Sequence, residues 1–254
     1  MKISASIVTY NNEKEIDGVL NSLLSSEITD LKIVVVDNAS DDNTCAIVKQ
    51  YDKVELKKLP SNIGFGAGHN KALNMIDSDY HIIVNPDITL KNGMIAKMID
   101  FLETESEIVL LTPKVLNPDK SEQFLPKKYP KFKYLIGSKF EKYSKLFYKW
   151  RSEYTLRDRN VDTPIDIDFC TGCFMVCRTS ALNSVGGFDE RYFLHFEDAD
   201  LTREMQKFGR TVYYPKAYVN HIWMRENSKN WRIFLIALQS MFKYFVKWRK
   251  KNEK

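Results

Sequence analysis

Three acidic side chains within four positions could supply a catalytic base: Glu197, Asp198 and Asp200. They stand where a helix is predicted to begin, and the dipole of a helix favours negative charge at that end. A carboxylate that removes a proton from an attacking hydroxyl must come within about 3 Å of it, and three neighbouring acids provide such a group whichever of them faces inward. Capping of the helix N-terminus is the alternative explanation for the same residues.

Polar turns follow the first four predicted strands of the chain. They are Thr9-Tyr-Asn-Asn12, Asp37-Asn-Ala-Ser-Asp41, Asn62-Ile-Gly-Phe-Gly-Ala-Gly-His-Asn70 and Asn85-Pro-Asp87. Any one of them could be an ordinary loop, because Asn, Asp and Gly form turns for backbone reasons alone. In a parallel sheet, however, the carboxyl ends of the strands meet at one edge, where α/β proteins bind their ligands. Four such turns at one edge therefore predict a binding site.

The chemistry of these turns favours a nucleotide and a metal ion. Asp37 and Asp87 stand at or just beyond strand ends, where a carboxylate can accept hydrogen bonds from a base or sugar, or bind a divalent cation. Helix capping or turn formation is the alternative for each. The glycines are spaced Gly64-x-Gly66-x-Gly68 after the third strand, which is not the dinucleotide fingerprint expected after a first strand. They still allow a nucleotide to approach the backbone closely.

Alternating strands and helices over residues 1–112 must position these turns. Buried apolar runs predict strands, apolar residues at helical spacing predict helices, and the βαβα order favours a mostly parallel sheet flanked by helices. After several prolines the pattern returns with one strand over about 165–178, a helix near 197–208, and a last strand that precedes His221. The predicted strands of the first half are Ile3–Thr9, Lys32–Asp37, Val54–Leu59, Tyr80–Asn85 and Ile108–Thr112.

Composition restricts the class of protein. The 254 residues are 44% hydrophobic and 28% charged, which suits one large α/β domain with at most an appendage and excludes a low-complexity chain. Near the C-terminus the longest apolar run, Ile233–Leu238, is six residues, far short of the roughly 20 of a spanning helix. The N-terminus has no secretory signal, so we expect a cytoplasmic protein. Cys170, Cys173 and Cys177 could belong to a zinc site or, as we favour, to a buried strand.

The net charge of +5 is unevenly distributed. Residues 127–159 carry eleven Lys/Arg and three acids, and residues 225–254 carry nine Lys/Arg and two Glu, so the remainder of the chain sums to −10. Both basic segments are rich in aromatic side chains, a combination that nucleic-acid-binding proteins also use. An acidic body argues against a long polyanion track, so we expect no nucleic acid as partner.

Together and in this order, the motifs resemble the family 2 glycosyltransferases with the GT-A fold. The resemblance covers nearly the whole chain, from Ser6-Ile-Val-Thr-Tyr-Asn-Asn12 through the turns above to Thr171-Gly-Cys-Phe-Met-Val-Cys-Arg178 and Gly187-Phe-Asp-Glu-Arg-Tyr-Phe-Leu-His-Phe-Glu-Asp-Ala-Asp-Leu201. Within that family the chain is most similar to bacterial rhamnosyltransferases of O-antigen and cell-wall polysaccharide assembly. The resemblance implies inverting transfer of a sugar from a nucleotide diphosphate to an acceptor hydroxyl.

The resemblance also implies a role for each turn. Asp198, beside Glu197, would be the catalytic base. Asp87, with His221, would bind a divalent metal, Mg²⁺ or Mn²⁺, that bridges the two phosphates of the donor. The residues that would bind the nucleotide sugar are Thr9, Tyr10, Asn11, Asp37, Asn62, Gly64, Asn70, Asn85 and Asp87.

Two positions depart from the family pattern. The usual metal motif is Asp-x-Asp, and Asn85 replaces its first acid, which predicts modest metal affinity and would fit a donor without a ribose 2′-hydroxyl, such as dTDP-L-rhamnose. His221 is followed by Ile222-Trp-Met-Arg-Glu-Asn-Ser228, without the Gly and Ser that many relatives have at fixed spacing. A UDP-sugar donor is the alternative within the family. A sugar nucleotidyltransferase is the alternative enzyme, although Thr9-Tyr-Asn-Asn12 is not the Gly-rich basic loop that such enzymes usually carry.

We expect a glycosyltransferase domain over residues 1–224, with a nucleotide-sugar half (1–112) and an acceptor half (113–224) that contains the basic insertion 127–159. A basic amphipathic helix would follow over 225–254. The resemblance implies an acceptor glycan on a polyprenyl diphosphate at the inner face of the cell membrane. The C-terminal helix could meet an anionic membrane there, or could pack on the domain with a solvated tail. The aromatic, aliphatic and basic candidates are Trp231, Phe234, Leu235, Leu238, Phe242, Phe245, Lys243, Lys247, Arg249, Lys250 and Lys251.

Overall fold

The computed structural model describes residues 1–159, 161–222 and 231–251. For residues 250 and 251 it describes the backbone alone. The strands are β1 (Ile3–Thr9), β2 (Leu31–Asp37), β3 (Val54–Lys58), β4 (Tyr80–Val84), β5 (Ile88–Leu90), β6 (Ile108–Leu116), β7 (Ile165–Asp166), β8 (Phe174–Arg178) and β9 (Arg210–His221). The helices are α1 (Ile16–Leu24), α2 (Thr44–Val48), α3 (Phe65–Leu73), α4 (Met94–Thr104), α5 (Phe132–Phe140), α6 (Lys145–Tyr154), α7 (Thr179–Ser184), α8 (Glu197–Met205) and α9 (Trp231–Lys251).

The described strands join one sheet in the order β3-β2-β1-β4-β8-β6-β9-β5, with β7 paired to β9. Strands β1 to β4 are parallel, as the βαβα pattern predicts. Beyond β4 the sheet is mixed, because β8 runs antiparallel to both β4 and β6. The pairing of Val84 with Phe174 places the beginning of β8 beside the carboxyl end of β4. The turn that precedes β8 therefore faces the same edge as the polar turns of the first half.

Alternating side chains of the central strands form two cores. Ile33 and Val35 of β2 pack into one hydrophobic cluster with α1 and α4, whereas Val34 and Val36 pack into another with α3. Successive side chains of a strand point to opposite faces of a sheet, so helices cover both faces. A strand buried on both faces requires the continuous apolar run that β2 has. The strand ends are then the part of the sheet where polar side chains can meet a ligand.

The strand predicted over residues 165–178 is wrong: this segment forms two strands, β7 and β8, separated by a polar turn. In the turn, Thr171 Oγ1 donates to the Leu125 carbonyl and the Gly172 N–H donates to Asp198. The chain leaves the sheet here because it crosses from β9 to the position between β4 and β6. Strand β5 has no counterpart in the sequence predictions, because three residues are too few to show alternation.

The basic insertion and the C-terminal helix pack against each other. Helices α5 and α6 of the insertion contribute Tyr134 and Tyr154 to an aromatic cluster that also contains Tyr244 and Trp248 of α9. The ring of Phe132 stacks on that of Phe245 with centroids 4.3 Å apart. The second basic segment is therefore a helix docked on the first.

Polar contacts fix α9 on the protein, while its outer face stays exposed. Lys247 Nζ lies 2.5 Å from Asp200 Oδ2, and Lys243 Nζ donates to the Arg191 carbonyl at 2.5 Å. Both lysines were candidates for lipid binding, and both are instead engaged within the protein. The opposite face exposes Trp231, Phe234, Leu235, Leu238 and Phe242. The helix thus packs on the domain, as one of the two interpretations of this segment predicts. It also exposes the aromatic face that the membrane-binding interpretation requires.

Within the described residues, no helix has the length and apolar character needed to cross a bilayer. The predicted domain boundary at 224/225 lies in residues 223–230, outside the described residues. The same is true of residues 223–228 in the segment Ile222-Trp-Met-Arg-Glu-Asn-Ser228 that follows His221. The division of the chain into donor half, acceptor half and C-terminal helix stays a prediction.

Candidate active site

The register of β5 and β9 brings Asp87 and His221 together. Ile88 of β5 pairs with His221, and the Ile222 N–H donates to the Asp87 carbonyl at 3.1 Å. Asp87 Oδ1 consequently lies 3.2 Å from His221 Nε2. The two residues are more than 130 positions apart in the sequence. Their meeting follows from strand pairing and makes them one unit of the site.

Gln123 determines which nitrogen of His221 faces Asp87. Gln123 Nε2 donates to the His221 carbonyl at 3.0 Å, so the oxygen of the same amide lies 2.9 Å from His221 Nδ1 and accepts its proton. In a neutral imidazole protonated on Nδ1, Nε2 carries a lone pair. That lone pair faces the carboxylate of Asp87, and two acceptors this close need a cation between them, either a proton or a metal ion.

Asp198 is held by the backbone at both of its side-chain oxygens. The Gly172 N–H donates to Oδ2 at 3.0 Å, and the Ala199 N–H donates to Oδ1 at 2.9 Å. These bonds orient the carboxylate and leave lone pairs on each oxygen for a further donor. The side chain is half-buried at the first turn of α8. A hydroxyl in the adjoining cleft can therefore hydrogen-bond to it.

Glu197 is adjacent to Asp198 but lies in a different environment. Its side chain is buried, and its Oε2 has no hydrogen-bond partner among the described residues. Burial and the negative charge of Asp198 raise the pKa of Glu197 well above its usual value. Glu197 therefore holds its proton more firmly than an exposed glutamate does. When environments separate two neighbouring acids in this way, their chemical roles separate too, and Asp198 is the candidate base.

An unusual backbone conformation precedes α8. His195 and Phe196 have φ of 69° and 67°, a region that costs non-glycine residues about 1–3 kcal/mol each. This conformation turns the chain so that Glu197 and Asp198 open the helix beside the turn at Gly172. The strain is located where the candidate base is oriented, which is a common place for it in enzymes.

One cleft of about 550 Å³ gathers five of the predicted site residues: Asn85, Asp87, Glu197, Asp198 and His221. They come from the ends of β4 and β9 and from the start of α8. Phe65, which follows the glycine turn, also lines the cleft. The structure therefore brings the candidate metal ligands and the candidate base into one cavity.

Asp37 ties the turns after β1 and β2 to each other. Its carboxylate accepts a hydrogen bond from Thr9 Oγ1 at 3.0 Å, and two from Ser40, through the hydroxyl at 2.5 Å and the N–H at 3.0 Å. The Asn11 N–H donates to Ser40 Oγ at 2.9 Å. Asp37 is fully buried, whereas Tyr10 is more than half exposed. Asp37 braces these turns from behind, and contact of Asp37, Thr9, Tyr10 or Asn11 with a nucleotide stays a prediction.

The glycines of the third turn are explained by packing within the protein. Gly64 has φ of 96°, and a Cβ there would lie 2.4 Å from the Phe193 carbonyl oxygen. A Cβ on Gly66 or Gly68 would lie 2.8 Å from the side chains of Phe188 or Val8. Packing within the protein therefore accounts for these glycines, and close approach of a nucleotide to their backbone stays a prediction.

Two asparagines shape the same turn. Asn62 Oδ1 accepts from the Gly64 N–H at 2.9 Å, and Asn70 forms two hydrogen bonds of 2.8 Å with the backbone of Phe188. Their contact with a nucleotide stays a prediction. The predicted residues that the structure places outside the lining of the 550 Å³ cleft, within the part of the chain it describes, are Thr9, Tyr10, Asn11, Asp37, Asn62, Gly64 and Asn70.

Several residues of the cleft have no role in the sequence analysis. They are Gln123, Lys127, Ser138, Arg151 and Gly172. The charge of the insertion indicated that basic residues matter, but not which of its eleven would face the cavity. The three neighbouring cysteines, which the sequence also allowed as part of a zinc site, are buried. Burial raises the pKa of Cys173 and Cys177 to about 12. Among the described residues, no group of three or more His, Cys, Asp or Glu is placed to hold a metal ion.

The cleft at the strand ends combines an Asp–His pair with an oriented carboxylate. Such a cleft suits an enzyme that uses a nucleotide-activated substrate. The class of enzyme here is the glycosyltransferases. More particularly, the chain belongs to Glycosyl transferase family 2, whose domain matches residues 4–186. The family predicted from the motifs is confirmed. The matched region ends before α8 and α9.

Two curated relatives are rhamnosyltransferases. The chain is 28% identical over 230 residues to the N-acetylglucosaminyl-diphospho-decaprenol L-rhamnosyltransferase of Mycobacterium tuberculosis (strain H37Rv), covering 84% of this chain and 74% of that protein. It is 27% identical over 254 residues to rhamnosyltransferase WbbL of Escherichia coli (strain K12), covering 96% and 92% of the two.

Solved structures share the GT-A fold. The mannosyltransferase PcManGT from Pyrobaculum calidifontis, in complex with GDP-Man and Mn²⁺, has a TM-score of 0.67 at 17% identity and covers 98% of this chain. S. aureus TarS 1-349 in complex with UDP-GlcNAc has a TM-score of 0.62 at 21% identity and covers 89%. This chain spans 64% and 59% of those chains, respectively. At such identities the likeness establishes the fold, and the predicted fold class is confirmed.

Proposed function

We propose that this glycosyltransferase moves L-rhamnose from dTDP-L-rhamnose to a hydroxyl of a lipid-linked polysaccharide precursor. The names of the two rhamnosyltransferase relatives support the sugar, and the diphospho-decaprenol in one of them supports a lipid-linked acceptor. The observation that carries the reaction is the single cleft that contains both Asp198 and the Asp87–His221 pair. One end of the cleft can hold a leaving diphosphate while the other activates the attacking hydroxyl.

Asp198 is the general base in this proposal. Its carboxylate is oriented by Gly172 and Ala199, so an acceptor hydroxyl can hydrogen-bond to a free lone pair and pass its proton there as its oxygen attacks the sugar. The raised pKa of Glu197 beside it disfavours a second negative charge near the base. Attack from the side opposite the departing diphosphate inverts the configuration at the anomeric carbon.

A divalent cation, Mg²⁺ or Mn²⁺, is the proposed cofactor at Asp87 and His221. The residues fit one, because a carboxylate oxygen and an imidazole lone pair face each other at 3.2 Å and Gln123 fixes the imidazole from behind. Asn85 adds an amide at the position where the family pattern has an acid. With so few protein ligands, the remaining positions are left for diphosphate oxygens and water. When bound, the cation offsets the charge that develops on the leaving diphosphate.

The test of the donor is a transfer assay with dTDP-L-rhamnose and UDP-glucose, combined with thermal melting in each nucleotide sugar. A ligand that binds only the folded protein at 100 times its Kd stabilises it by about 2.7 kcal/mol and raises the Tm. We expect the larger shift and the faster transfer with dTDP-L-rhamnose. Transfer or hydrolysis confined to the UDP-sugar would refute the rhamnose donor and leave the glycosyltransferase class untouched.

The test of the metal uses Asp87→Ala together with EDTA. We expect the wild-type enzyme to lose activity in EDTA and to recover it with Mn²⁺ or Mg²⁺, because hard cations prefer carboxylate oxygen. Asp87→Ala should weaken dTDP binding in the presence of metal and abolish any stimulation. Asp119→Ala, in an exposed turn, is the matched control. Full activity in EDTA would show that a proton, rather than a metal, occupies the space between Asp87 and His221.

An anionic membrane is the proposed surface for peripheral binding. The exposed side chains of α5 and α9 form a continuous aromatic surface, since Lys139 of α5 lies 5.3 Å from the Phe234 ring centroid of α9. Aromatic rings at such a surface can insert at the lipid interface, and each nearby cation adds about 1 kcal/mol against an anionic leaflet. The members of this aromatic surface are Phe132, Ile136, Phe140, Phe234, Leu238 and Phe242, and the exposed lysines beside it are Lys131, Lys139, Lys142, Lys145 and Lys149.

Vesicle co-sedimentation tests this surface. Binding should require anionic lipid and fall at high salt, and it should weaken in Phe234→Ser/Phe242→Ser and in Lys142→Ser/Lys145→Ser. Point substitutions are sharper than removal of residues 243–254, because that segment includes Lys247 and Trp248, which dock α9. Leu24→Ser, an exposed position of α1, is the control. Wild-type protein that ignores anionic vesicles at low salt would refute the membrane proposal.

A further inference from the structure

Two cations of the basic insertion line the wall of the cleft opposite the sheet: Lys127 and Arg151. The backbone of Lys127 is fixed by two hydrogen bonds with Phe169, of 3.2 and 3.0 Å. Its ammonium lies 4.6 Å from the Phe169 ring centroid and 6.0 Å from that of Tyr154. Throughout residues 1–159, 161–222 and 231–251, no carboxylate forms an ion pair with Lys127. Aromatic faces thus hold this cation, and its charge remains available to a ligand.

Arg151 presents its guanidinium to the same cavity. Its Nη1 donates to Ser138 Oγ at 2.8 Å, and its Nε lies 4.0 Å from Glu141 Oε2, at the limit of an ion pair. Burial lowers the pKa of both Arg151 and Lys127, although Asp198 acts in the opposite direction on Lys127. Two cations withdrawn from water and facing one cavity repel each other, and an anion bound between them would relieve that cost.

The position of this pair separates it from the donor end of the cleft. Asp87 and His221 hold the donor end at the sheet, whereas Arg151 and Ser138 belong to α6 and α5. The wall that they form also contains Leu135 of α5 and Ala237 of α9, whose helices carry the aromatic surface on their outer sides. An anion held by these cations would therefore lie in the cleft beside the helices that carry the aromatic surface.

We infer that Lys127 and Arg151 form a subsite for the phosphate group of the lipid-linked acceptor, distinct from the site of the donor diphosphate. The inference rests on the proposed function for the nature of the acceptor. Phosphate chemistry suits the pair, because a guanidinium can donate two parallel hydrogen bonds to phosphate oxygens and an ammonium adds a point charge. Since Lys127 and Asp198 line the same cleft, a phosphate bound at Lys127 would hold the attached sugar in the cavity that contains the base.

Farnesyl diphosphate is a suitable probe, with farnesol as its uncharged counterpart and dTDP with Mn²⁺ as the donor-side probe. We expect the wild-type protein to bind farnesyl diphosphate and Lys127→Met to bind it about 10- to 100-fold more weakly, the scale of a hydrogen bond to a charged group. Methionine keeps the packing of the lysine stem on Phe169. The affinity for dTDP should not change. Lys53→Met, which removes an exposed charge from the turn between α2 and β3, should match the wild type with both probes.

Three outcomes would overturn the inference. Equal affinity of wild type and Lys127→Met for farnesyl diphosphate would exclude the lysine, and equal affinity for farnesol and farnesyl diphosphate would exclude phosphate recognition. A parallel loss of dTDP affinity would assign the cations to the donor diphosphate. Arg151→Gln provides the second variant, with its melting curve as a check because Arg151 also links α6 to α5. If no rhamnose is transferred but Lys127 still governs farnesyl diphosphate binding, the subsite stands and the proposed donor fails.

Discussion

Two regions of the molecule, which we call the donor wall (the turns after β1 and β2) and the acceptor wall (helices α5, α6, α8 and α9), are held together by different physical means. On the donor side, the turns after β1 and β2 are fixed by hydrogen bonds among small polar side chains, with Asp37 at their centre. On the acceptor side, helices α5, α6, α8 and α9 are held by aromatic packing and by ion pairs between distant residues, such as Asp200 with Lys247. The donor side is thus shaped locally, and the acceptor side depends on where α9 docks.

The family domain covers the two walls to different extents. The region that it matches, residues 4–186, contains the donor turns together with α5 and α6, and stops before α8 and α9. A wall of aromatic and basic side chains can change its shape and charge without disturbing the hydrogen-bonded turns. We therefore expect donor handling to survive changes in the acceptor wall, and each prediction below tests that independence.

The largest effect is expected at the residue where the two walls meet. Asp198→Asn should leave dTDP binding unchanged and lower kcat by about 10²- to 10⁴-fold, because the amide keeps the shape of the side chain but cannot accept the proton. Steady-state kinetics measure kcat, and a binding assay measures the affinity for dTDP. A variant that loses dTDP affinity as well would show that the walls are coupled at this point.

Glu197→Gln is the matched control for that substitution. Burial and the charge of Asp198 raise the pKa of Glu197 and so favour its protonated form, which a neutral amide of the same size should reproduce. We expect turnover to fall by less than about tenfold. A larger loss in Glu197→Gln than in Asp198→Asn would transfer the role of base to Glu197.

The second prediction concerns the contacts that attach α9 to the rest of the acceptor wall. Asp200→Ala removes the acceptor of Lys247 Nζ at 2.5 Å and of Trp248 Nε1 at 2.7 Å, and leaves both groups buried without it. Lys247 keeps Asp189 and Glu204 as partners, so we expect the low end of the usual cost of breaking a buried pair, about 3 kcal/mol of unfolding free energy. Urea denaturation measures it.

Asp30→Ala, an exposed position in the donor half, is the control for Asp200→Ala and should change the unfolding free energy by less than about 0.5 kcal/mol. Hydrogen exchange locates the damage, which we expect in α9 and α5 but not in β1 to β4. Uniform loss of protection across the sheet would contradict the independence of the two walls.

The same contrast explains what the sequence could predict. Strand β1 matches its predicted bounds, Ile3–Thr9, because a central strand is buried along its whole length. The sequence predicts the donor turns, but not that the Asp37 carboxylate accepts hydrogen bonds from Thr9 and Ser40, since a sequence does not show which way a side chain points. Contact of Asp37 with a nucleotide stays a prediction.

On the acceptor side, the sequence predicts which segments are important but not which of their residues. Lys127 is one of eleven cations in its segment, and only the bridge with Phe169 places it at the cleft. Helix α9 carries aromatic residues on both faces, so periodicity could not identify Tyr244 and Trp248 as the packed side. His221 was found as a strand-end residue, but Gln123, which orients it, lies in an irregular segment with no pattern to reveal it.

The smallest effect, and the last prediction, concerns the interior behind the donor wall. His81 is fully buried, with Nδ1 bonded to Ser4 Oγ at 2.7 Å and Nε2 to Ser6 Oγ at 2.8 Å, and Ser6 also contacts His69 at 2.7 Å. Burial lowers the pKa of His81 to about 3 and that of His69 well below its usual value. Both histidines are therefore neutral in the folded protein across the pH range in which they titrate in the unfolded chain.

The sign of the pH dependence follows from that difference. Below about pH 6.5 the unfolded chain binds a proton at each histidine and the folded protein does not, so their contribution to stability is complete above pH 6.5 and is lost as the pH falls towards 3. Each should contribute a slope of about 1.4 kcal/mol per pH unit. Urea denaturation at pH 7, 6, 5 and 4 measures the total pH dependence of the unfolding free energy. His81→Gln should reduce the slope of that dependence by the contribution of one histidine. If His81→Gln keeps the wild-type slope, then the donor wall does not rest on a neutral, hydrogen-bonded interior, and its rigidity must come from the turns alone.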